Sequence, residues 1–240
     1  SLNKLIAIGK MVKPTTNTLT PPQSCDFGWW QTDGKKVTSL KELYDSLTED
    51  ERSSSQYISM DKESADLMLS SLRDNDTYLA YVTLDRIMDY KDFIRFINDK
   101  SLGNVWCGVF IPKSDYYEDE MSLGLPYLGF VCNPWFGRED AGLDEYPNLF
   151  TGLDNKDELA DEDFAKQHFL SMLRYMRDNK RSASVMSSIE DLTNALDPAI
   201  DYVEKNGLKI HGFAITATKD KLLKINDMKE VYAISTKEFK

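Results

Sequence analysis

The sequence predicts an α+β fold: a mixed β-sheet with helices packed on it and βαβ units at both ends. Residues 189–235 show a helix, a strand, a short helix and a second strand, and residues 57–84 show a strand, a helix and a strand. A right-handed crossover would make the two strands of 57–84 parallel. The composition agrees, because 41% hydrophobic and 29% charged residues in a chain of 240 are typical of a folded protein with a sizeable core.

The first fifty residues are predicted to form a linker and a short helix. Pro14–Pro22 is rich in Thr and Pro, which is typical of a linker. The aromatic cluster Phe27–Trp30 follows it, and this cluster either anchors the chain to a ligand or membrane edge or packs on the main core. Apolar residues then recur at helical spacing over 39–47, with Ser39 as a suitable N-cap. These features predict one segment over residues 1–52.

The main domain is expected to occupy residues 53–240. Residues 77–84 are apolar on both faces, which predicts a strand in the interior of the sheet. The predicted strands are 56–60, 78–84, 105–111, 208–217 and 231–235, with Ile210, Phe213 and Ile215 at least partly buried. The predicted helices are 62–73, 90–98, 163–177, 189–205 and 219–225.

Residues 113–160 lack a periodic pattern and are rich in Gly, Pro, Asp and aromatic residues. Long irregular stretches inside a domain are usually functional or mobile. Interfaces favour Tyr and Trp, so residues 113–150 within this stretch are the best candidate for a partner-binding surface. The predicted binding residues are Tyr116, Tyr117, Trp135, Phe136 and Tyr146. The alternative is that Trp135 and Phe136 cover an edge of the sheet as part of the core.

The chain is acidic, with 29 basic and 40 acidic residues and a formal net charge of −11. An acidic surface repels phosphate backbones and anionic lipid head groups, so nucleic acid is not expected as a partner. No apolar run reaches the ~18 residues that a membrane helix needs, so no span is expected within this sequence.

Three cysteines, Cys25, Cys107 and Cys132, leave at least one thiol unpaired. Cys107 and Cys132 both lie in apolar, strand-like runs, so they either form a disulfide or remain two buried free thiols. The sequence contains no closely spaced Cys or His pair of the kind a metal site needs, and no metal or other cofactor is expected.

Catalysis is not expected, because no nucleophile pattern accompanies His168 or His211. His168 falls within a predicted helix and His211 within a predicted strand, which is typical of structural histidines. The alternative is a hydrolase that uses the acidic loops 113–146. The carboxylates of those loops lack the ligand spacing of a calcium site, which favours a solvated loop; they are Asp115, Glu118, Asp119 and Glu120.

The C-terminal stretch also resembles a known family. A helix ending in Glu-Lys-Asn-Gly (204–207) is followed by Leu-Lys-Ile-His-Gly-Phe-Ala-Ile-Thr (208–216) and by Lys-Asp-Lys-Leu-Leu-Lys-Ile (219–225). This succession resembles the C-terminal domain of sigma factor regulators. Three upstream segments match the strand order of that family, namely QYISMDK, YLAYVTLD and VWCGVFI. Together the resemblance covers residues 53–238.

The resemblance implies a function and a location. Members of the family are single-span membrane anti-sigma factors of Gram-positive bacteria, with a cytoplasmic sigma-binding segment, a membrane helix and this domain outside the membrane. The chain would then be a sensor or regulatory domain on the extracytoplasmic face of the cell membrane, acting by binding a protein partner or a cell-envelope ligand. Residues 1–52 would be juxtamembrane and follow an upstream span. A sigma factor would bind only through a cytoplasmic segment that is not in this chain.

Overall fold

The structure of the protein is a computed structural model. Its described part contains five β-strands and six α-helices. The described residues are 19, 38–49, 62–103, 105–112, 128–132, 145–149, 158–180 and 190–238. The helices are α1 (Leu40–Ser46), α2 (Lys62–Ser71), α3 (Tyr90–Asp99), α4 (Glu162–Asp178), α5 (Glu190–Asn206) and α6 (Lys219–Asn226). The strands are β1 (Thr77–Asp89), β2 (Trp106–Val109), β3 (Leu128–Val131), β4 (Lys209–Thr218) and β5 (Val231–Glu238), and a 3-10 helix spans Glu158–Ala160.

The strands form one sheet in the order β3-β2-β4-β1-β5, and each neighbouring pair is antiparallel. Strands β1 and β2 therefore run in the same direction on either side of β4, and β4 and β5 do so on either side of β1. Helix α3 lies between β1 and β2 along the chain, and α6 lies between β4 and β5. The sheet thus contains two interlocked split βαβ units.

The predicted α+β class is confirmed, but the described strands do not form a mixed sheet. A crossover helix returns the chain in the parallel direction without fixing which strand becomes the neighbour. Here a third strand occupies the gap in both units, so each described pairing is antiparallel. The predicted C-terminal unit is present in this split form. The first strand of the unit predicted at 57–84 lies outside the described residues, so its parallel pairing stays a prediction.

Strand β1 lies in the interior of the sheet, as its apolar faces predict, and it is irregular near its middle. Its register with β4 shifts between Thr83 and Met88, and its register with β5 shifts between Thr83 and Leu84. Such bulges bend a strand and change the direction of nearby side chains. The regular pairing of β1 with both neighbours is therefore interrupted near the middle of the strand.

The main core lies against one face of the sheet. The β1 residues on this face are Tyr78, Ala80, Val82 and Leu84. Phe213 of β4 is fully buried, and its ring centroid lies 5.9 Å from that of Phe93 and 6.2 Å from that of Phe96, both on α3. The predicted burial is confirmed for Ile210, Phe213 and Ile215. Each such large apolar side chain contributes roughly 1.5–3 kcal/mol on burial.

Two lysines of α6 donate hydrogen bonds to backbone carbonyl oxygens that follow the neighbouring helices α2 and α3. Lys219 Nζ donates to the carbonyl oxygen of Leu72, just after α2, at 2.9 Å. Lys221 Nζ donates to that of Leu102, in the turn after α3, at 3.2 Å. The Leu72 carbonyl lies at the end of α2, where a cation satisfies an oxygen that the helix leaves unpaired and interacts favourably with the helix dipole, whereas the Leu102 carbonyl belongs to the turn three residues after α3. The lysine-rich motif of 219–225 therefore holds three helices together.

The six helices agree with their predicted bounds to within two residues at each end. The Oγ of Ser39 accepts a hydrogen bond from the Glu42 backbone N–H at 3.2 Å, so Ser39 caps α1 as predicted. Glycine ends α5 as expected, since Gly207 has φ 75° and its N–H donates to the Val203 carbonyl oxygen at 2.9 Å. The predicted strand 56–60 lies outside the described residues, and β3 is a strand that the sequence analysis did not predict.

Two leucines of the segment 1–52 are buried against the main domain. Leu19 is fully buried in the main core, and Leu40 of α1 lies in a small cluster with Ala65 of α2. Part of the predicted linker segment therefore packs on the domain. The boundary at residue 52 stays a prediction.

Candidate functional site: the 145–149 turn on helix α4

One of the five predicted binding residues, Tyr146, lies within the described residues, in the turn 145–149. The other four, Tyr116, Tyr117, Trp135 and Phe136, lie outside them, so the clustering of the five stays a prediction. The acidic residues of the hydrolase alternative, Asp115, Glu118, Asp119 and Glu120, lie outside the described residues as well.

Tyr146 attaches the turn to the last two turns of α4. Its ring meets that of Tyr175 edge to face, with centroids 5.2 Å apart, and its hydroxyl donates to Asp178 Oδ2 at 2.9 Å. Partial burial, together with this hydrogen bond to the Asp178 carboxylate, raises the pKa of Tyr146 to about 12. The side chain is half-buried, so one part of the ring packs while the rest faces solvent.

The remaining residues of the turn are attached by hydrogen bonds to the same helix. The Asn148 side-chain amide donates to Gln167 Oε1 at 2.7 Å, and Ser171 Oγ donates to the Pro147 carbonyl oxygen at 2.5 Å. The Asn148 backbone has φ 58°, a left-handed conformation that Asn tolerates better than most residues. Leu149 then enters the main core. Polar contacts and one aromatic pair thus hold this turn, with one apolar anchor.

His168 of α4 lies beneath the turn. Its Nδ1–H donates to the Asn148 carbonyl oxygen at 2.6 Å, which leaves Nε2 unprotonated. Nε2 is buried and has no hydrogen-bond partner among the described residues, and the ring meets Phe130 edge to face at 5.8 Å. Burial lowers the pKa of His168 to about 4, so the imidazole is neutral at pH 7. These are the features of a structural histidine that positions a turn.

The residues that hold the turn were not singled out as a group by the sequence analysis. They are Gln167, His168, Ser171, Tyr175 and Asp178. Successive members are separated by one, three or four positions, a spacing that places them along one side of a helix. Polar side chains that recur at this spacing within an otherwise buried helix are the signal that could have identified them.

Contacts between charged side chains connect the residues that hold the turn with α5. Asp178 accepts from Arg177 Nε at 2.9 Å, and Arg177 also lies 3.9 Å from Asp197 of α5. Burial opposes ionisation of Asp178, but hydrogen bonds from Arg177 and Tyr146 outweigh it and lower its pKa. Tyr146 therefore hydrogen-bonds to a carboxylate that stays ionised at neutral pH.

His211 lies on β4 and packs on β2. The β2–β4 register passes from Gly108↔Gly212 to Val109↔Ile210, so a bulge forms at His211. A Cβ atom at Gly108 would lie 2.6 Å from His211 Nε2, so only glycine leaves room for the ring there. Burial lowers the pKa of His211 to about 4, and the side chain is neutral and inaccessible, as expected for a packing residue.

Cys107 and Cys132 are free thiols on the β2–β3 hairpin. Cys107 is buried, and its Sγ donates to the Phe130 carbonyl oxygen at 3.3 Å. Burial raises the pKa of the Cys107 thiol, so it stays protonated and reacts slowly. Cys132 is half-buried at the end of β3. Of the two alternatives from the sequence, the structure contains the free thiols.

The described residues were compared with the requirements of a metal site and of a membrane-spanning helix. Among them, no group of three or more His, Cys, Asp or Glu side chains is arranged to hold a metal ion. No helix in the same part of the chain is long and apolar enough to cross a membrane.

Comparison with known proteins identifies one family. The family model described as "Sigma factor regulator C-terminal" matches residues 69–238, from the last turn of α2 to the end of β5. Searches of curated proteins and of solved structures gave no significant match. The matched region contains the complete described sheet and well over half of the 240 residues. The chain therefore belongs to the sigma factor regulator C-terminal family.

Proposed function

We propose that this chain is the extracytoplasmic sensor or regulatory domain of a membrane-bound anti-sigma factor, and that it acts by binding rather than by catalysis. The family match over residues 69–238 carries the proposal, because it associates the whole sheet with the regulation of sigma factors. The burial of both histidines supports a binding role. A general base must reach its substrate, and these side chains are inaccessible.

The proposed partner surface is the stretch 113–150, with Tyr116, Tyr117, Trp135, Phe136 and Tyr146 as contact residues. The described turn supports this choice, because Tyr146 presents part of its ring to solvent from a turn that is held on helix α4. Aromatic residues held on rigid elements make strong binding contacts at low entropic cost. The proposed partner is a protein or a cell-envelope ligand. The net charge of −11 disfavours nucleic acid.

We further propose that the membrane span lies upstream of this chain and that the sigma factor binds a cytoplasmic segment outside it. The location can be tested in cells that produce the full membrane protein. Ser70 is exposed on α2, so a Ser70→Cys variant in a background without native cysteines offers one accessible thiol. A membrane-impermeant maleimide should label it in intact cells. Labelling only after lysis would contradict an extracytoplasmic domain.

The binding surface can be tested with matched aromatic variants. Trp135→Ala combined with Tyr146→Ala should change sigma-dependent transcription in cells that carry the full membrane protein. Tyr202→Ala is the control, because Tyr202 is also half-buried and its ring packs against Phe110 at 6.0 Å, outside the proposed surface. Both changes should lower the melting temperature by a few degrees at most. If both alter transcription equally, these aromatics act through packing and the surface lies elsewhere.

A further inference from the structure

The β2–β3 hairpin places Cys107 and Cys132 close together on the core face of the sheet. Cys107 pairs with Phe130, and the Cys132 backbone N–H donates to the Val105 carbonyl oxygen at 2.9 Å. One residue separates Phe130 from Cys132, so their side chains lie on the same face of the sheet. Both cysteines pack on the main core. They are therefore diagonal neighbours, and such side chains on adjacent strands lie within reach of each other.

The two cysteine side chains are in contact. Burial raises the pKa of the Cys107 thiol, and a hydrogen bond between this thiol and the Cys132 side chain raises it further. Cys132 also hydrogen-bonds with the Tyr90 side chain. A disulfide would bring the two Cβ atoms to roughly 3.5–4.5 Å, which is closer than diagonal neighbours normally lie. Cys132 lies just past the end of β3, where a strand moves more easily than within its ladder.

The two thiols differ in their access to solvent. Cys107 is fully buried, whereas Cys132 is half-buried. A dissolved oxidant therefore reaches Cys132 first, and Cys107 can react only with a group that is already attached to Cys132. An accessible thiol that attacks an oxidant, next to a second thiol that resolves the product, is the arrangement of a redox-active cysteine pair.

We propose that Cys107 and Cys132 are a redox-active pair that a small disulfide such as oxidised glutathione converts into a disulfide bond, and that this bond loosens the 145–149 turn. Cys132 is the attacking thiol and Cys107 is the resolving thiol. This role rests on the proposed function, because the extracytoplasmic face of the membrane is a place where disulfides form and persist. It adds a means of regulation to the proposed partner surface.

Oxidation takes place in two thiol–disulfide exchanges. In the first, the Cys132 thiolate attacks one sulfur of the small disulfide, the S–S bond breaks, and the leaving thiolate takes up a proton. In the second, Cys107 gives its proton to the departing thiolate and bonds to Cys132 Sγ while the mixed disulfide breaks. The two protein thiols lose two electrons in total, and the small disulfide is reduced to two thiols. The second exchange is the slower one, because burial keeps Cys107 protonated.

The disulfide acts on the turn through Phe130. In the reduced protein Cys107 Sγ donates to the Phe130 carbonyl oxygen at 3.3 Å, and oxidation removes this donor. The new S–S bond also draws Cys132 toward β2. Phe130 lies next to both changes, and its ring meets that of His168, which donates to the Asn148 carbonyl oxygen. A shift of Phe130 therefore weakens the support beneath the turn.

Oxidation of the folded 240-residue chain in a Cys25→Ser background tests the pair. In an excess of oxidised glutathione most chains should form a Cys107–Cys132 disulfide, which maleimide trapping and peptide mass mapping detect. Cys107→Ser keeps a donor for the Phe130 carbonyl but cannot resolve, so glutathione should stay attached to Cys132. Cys132→Ser should slow the loss of free thiol at least about tenfold, because the remaining Cys107 is buried.

Three results would overturn the redox assignment. If both thiols remain free in the folded chain, the pair does not react with disulfides. If the Cys107–Cys132 bond forms only in urea, the native fold does not bring the thiols together. If glutathione remains on Cys132 while Cys107 is intact, Cys107 does not resolve. A time course on the Cys25→Ser chain distinguishes these results without a further substitution, so it holds even where a second variant fails to fold.

Hydrogen exchange tests the effect on the turn. The Leu149 N–H donates to the Tyr146 carbonyl oxygen at 3.2 Å, and its exchange should rise at least about tenfold on oxidation. Exchange in β5, at the opposite edge of the described sheet from β3, should stay within about twofold. Cys132→Ser treated with the same oxidant is the matched control and should change neither region. A complete disulfide without faster exchange at Leu149 would refute the link to the turn.

Transcription in cells that carry the full membrane protein tests the regulatory role. Oxidised glutathione added outside the cells should shift sigma-dependent transcription when Cys107 is present, and Cys107→Ser should abolish the shift. If deletion of residues 69–238 alters transcription but the oxidant acts equally on both proteins, the redox role is refuted and the proposed function stands. If the deletion has no effect, the proposed function fails and the regulatory role of the pair fails with it, whereas the disulfide measured on the isolated chain does not depend on either.

Discussion

The C-terminal unit β4–α6–β5 and the 145–149 turn lie on the same core but are held by different interactions. The unit is held by backbone pairing and by buried apolar side chains such as Phe213 and Ile234. The turn is held by hydrogen bonds to one helix and by the ring of Tyr146. Burial in a core is cooperative with the whole fold, whereas surface hydrogen bonds each contribute about 1 kcal/mol. The first region therefore determines whether the domain folds, and the second can change without unfolding it.

The largest effect is expected in the C-terminal unit. Phe213→Ala removes a fully buried ring that packs on Phe93 and Phe96, so the free energy of unfolding should fall by roughly 3–5 kcal/mol. Urea denaturation measures the loss. Leu67→Ala is the control, because Leu67 is 69% exposed on α2, and its change should stay within about 0.5 kcal/mol. Similar losses for the two variants would refute the assignment of Phe213 to the core.

Acid should weaken both regions, because a buried neutral histidine lies in the C-terminal unit (His211) and another lies beneath the turn (His168). The pKa of His168 and of His211 falls from 6.5 to about 4 on folding. Between these values the unfolded chain binds protons that the folded chain does not, so stability is lost as the pH falls from about 6.5 to about 4. The whole window corresponds to about 3 kcal/mol for each histidine, as an order of magnitude.

Urea denaturation at pH 7 and at pH 5 checks this expectation. His168→Gln and His211→Gln should each make the stability less dependent on pH over this range, whatever their effect at pH 7. If the His168 variant keeps the full dependence while the His211 variant loses half of it, the imidazole beneath the turn is accessible to protons in the folded state. The two regions would then differ in burial as well as in the forces that hold them.

A small effect is expected when the turn loses one hydrogen bond. Tyr146→Phe keeps the ring against Tyr175 and removes the hydrogen bond to Asp178. The free energy of unfolding should therefore fall by about 1 kcal/mol at most. Urea denaturation measures the loss. A loss of more than about 2 kcal/mol would show that the turn is part of the cooperative core.

The sequence predicted the helices well, since each has an apolar side at helical spacing and clear end signals such as Ser39 and Gly207. It did not predict β3, because Gly124, Pro126 and Gly129 interrupt the apolar run. The structure explains Gly129. A Cβ atom there would lie 2.0 Å from the Cys107 carbonyl oxygen, so the close approach of β2 requires the residue that looked like a strand breaker.

Strand neighbours and the candidate site were harder to predict, for a common physical reason. Periodicity describes how a segment faces its surroundings but does not specify the segment it meets. Strand β4 lies between the two strands of one βαβ unit, and β1 lies between the two strands of the other. No local pattern in the sequence indicates either arrangement, so the sheet was predicted to be mixed. Asp85 and Ser39 are 46 positions apart, and no periodic pattern in the sequence indicates the hydrogen bond between them. Tyr146 was selected as a candidate because an aromatic residue in an irregular stretch is a local signal, and its binding role stays a prediction.

The interlocking of the two βαβ units has a consequence for the order in which the protein is made. Strand β1 ends at Asp89, but its neighbours β4 and β5 occupy Lys209–Thr218 and Val231–Glu238. During synthesis β1 therefore remains without either neighbour until nearly the whole chain has emerged. Long-range pairing of this kind slows folding and leaves apolar strand edges open to other chains. Between the synthesis of β1 and that of β4, the newly made chain therefore carries a largely buried strand without its neighbours, which is the condition in which chaperones protect a chain from aggregation.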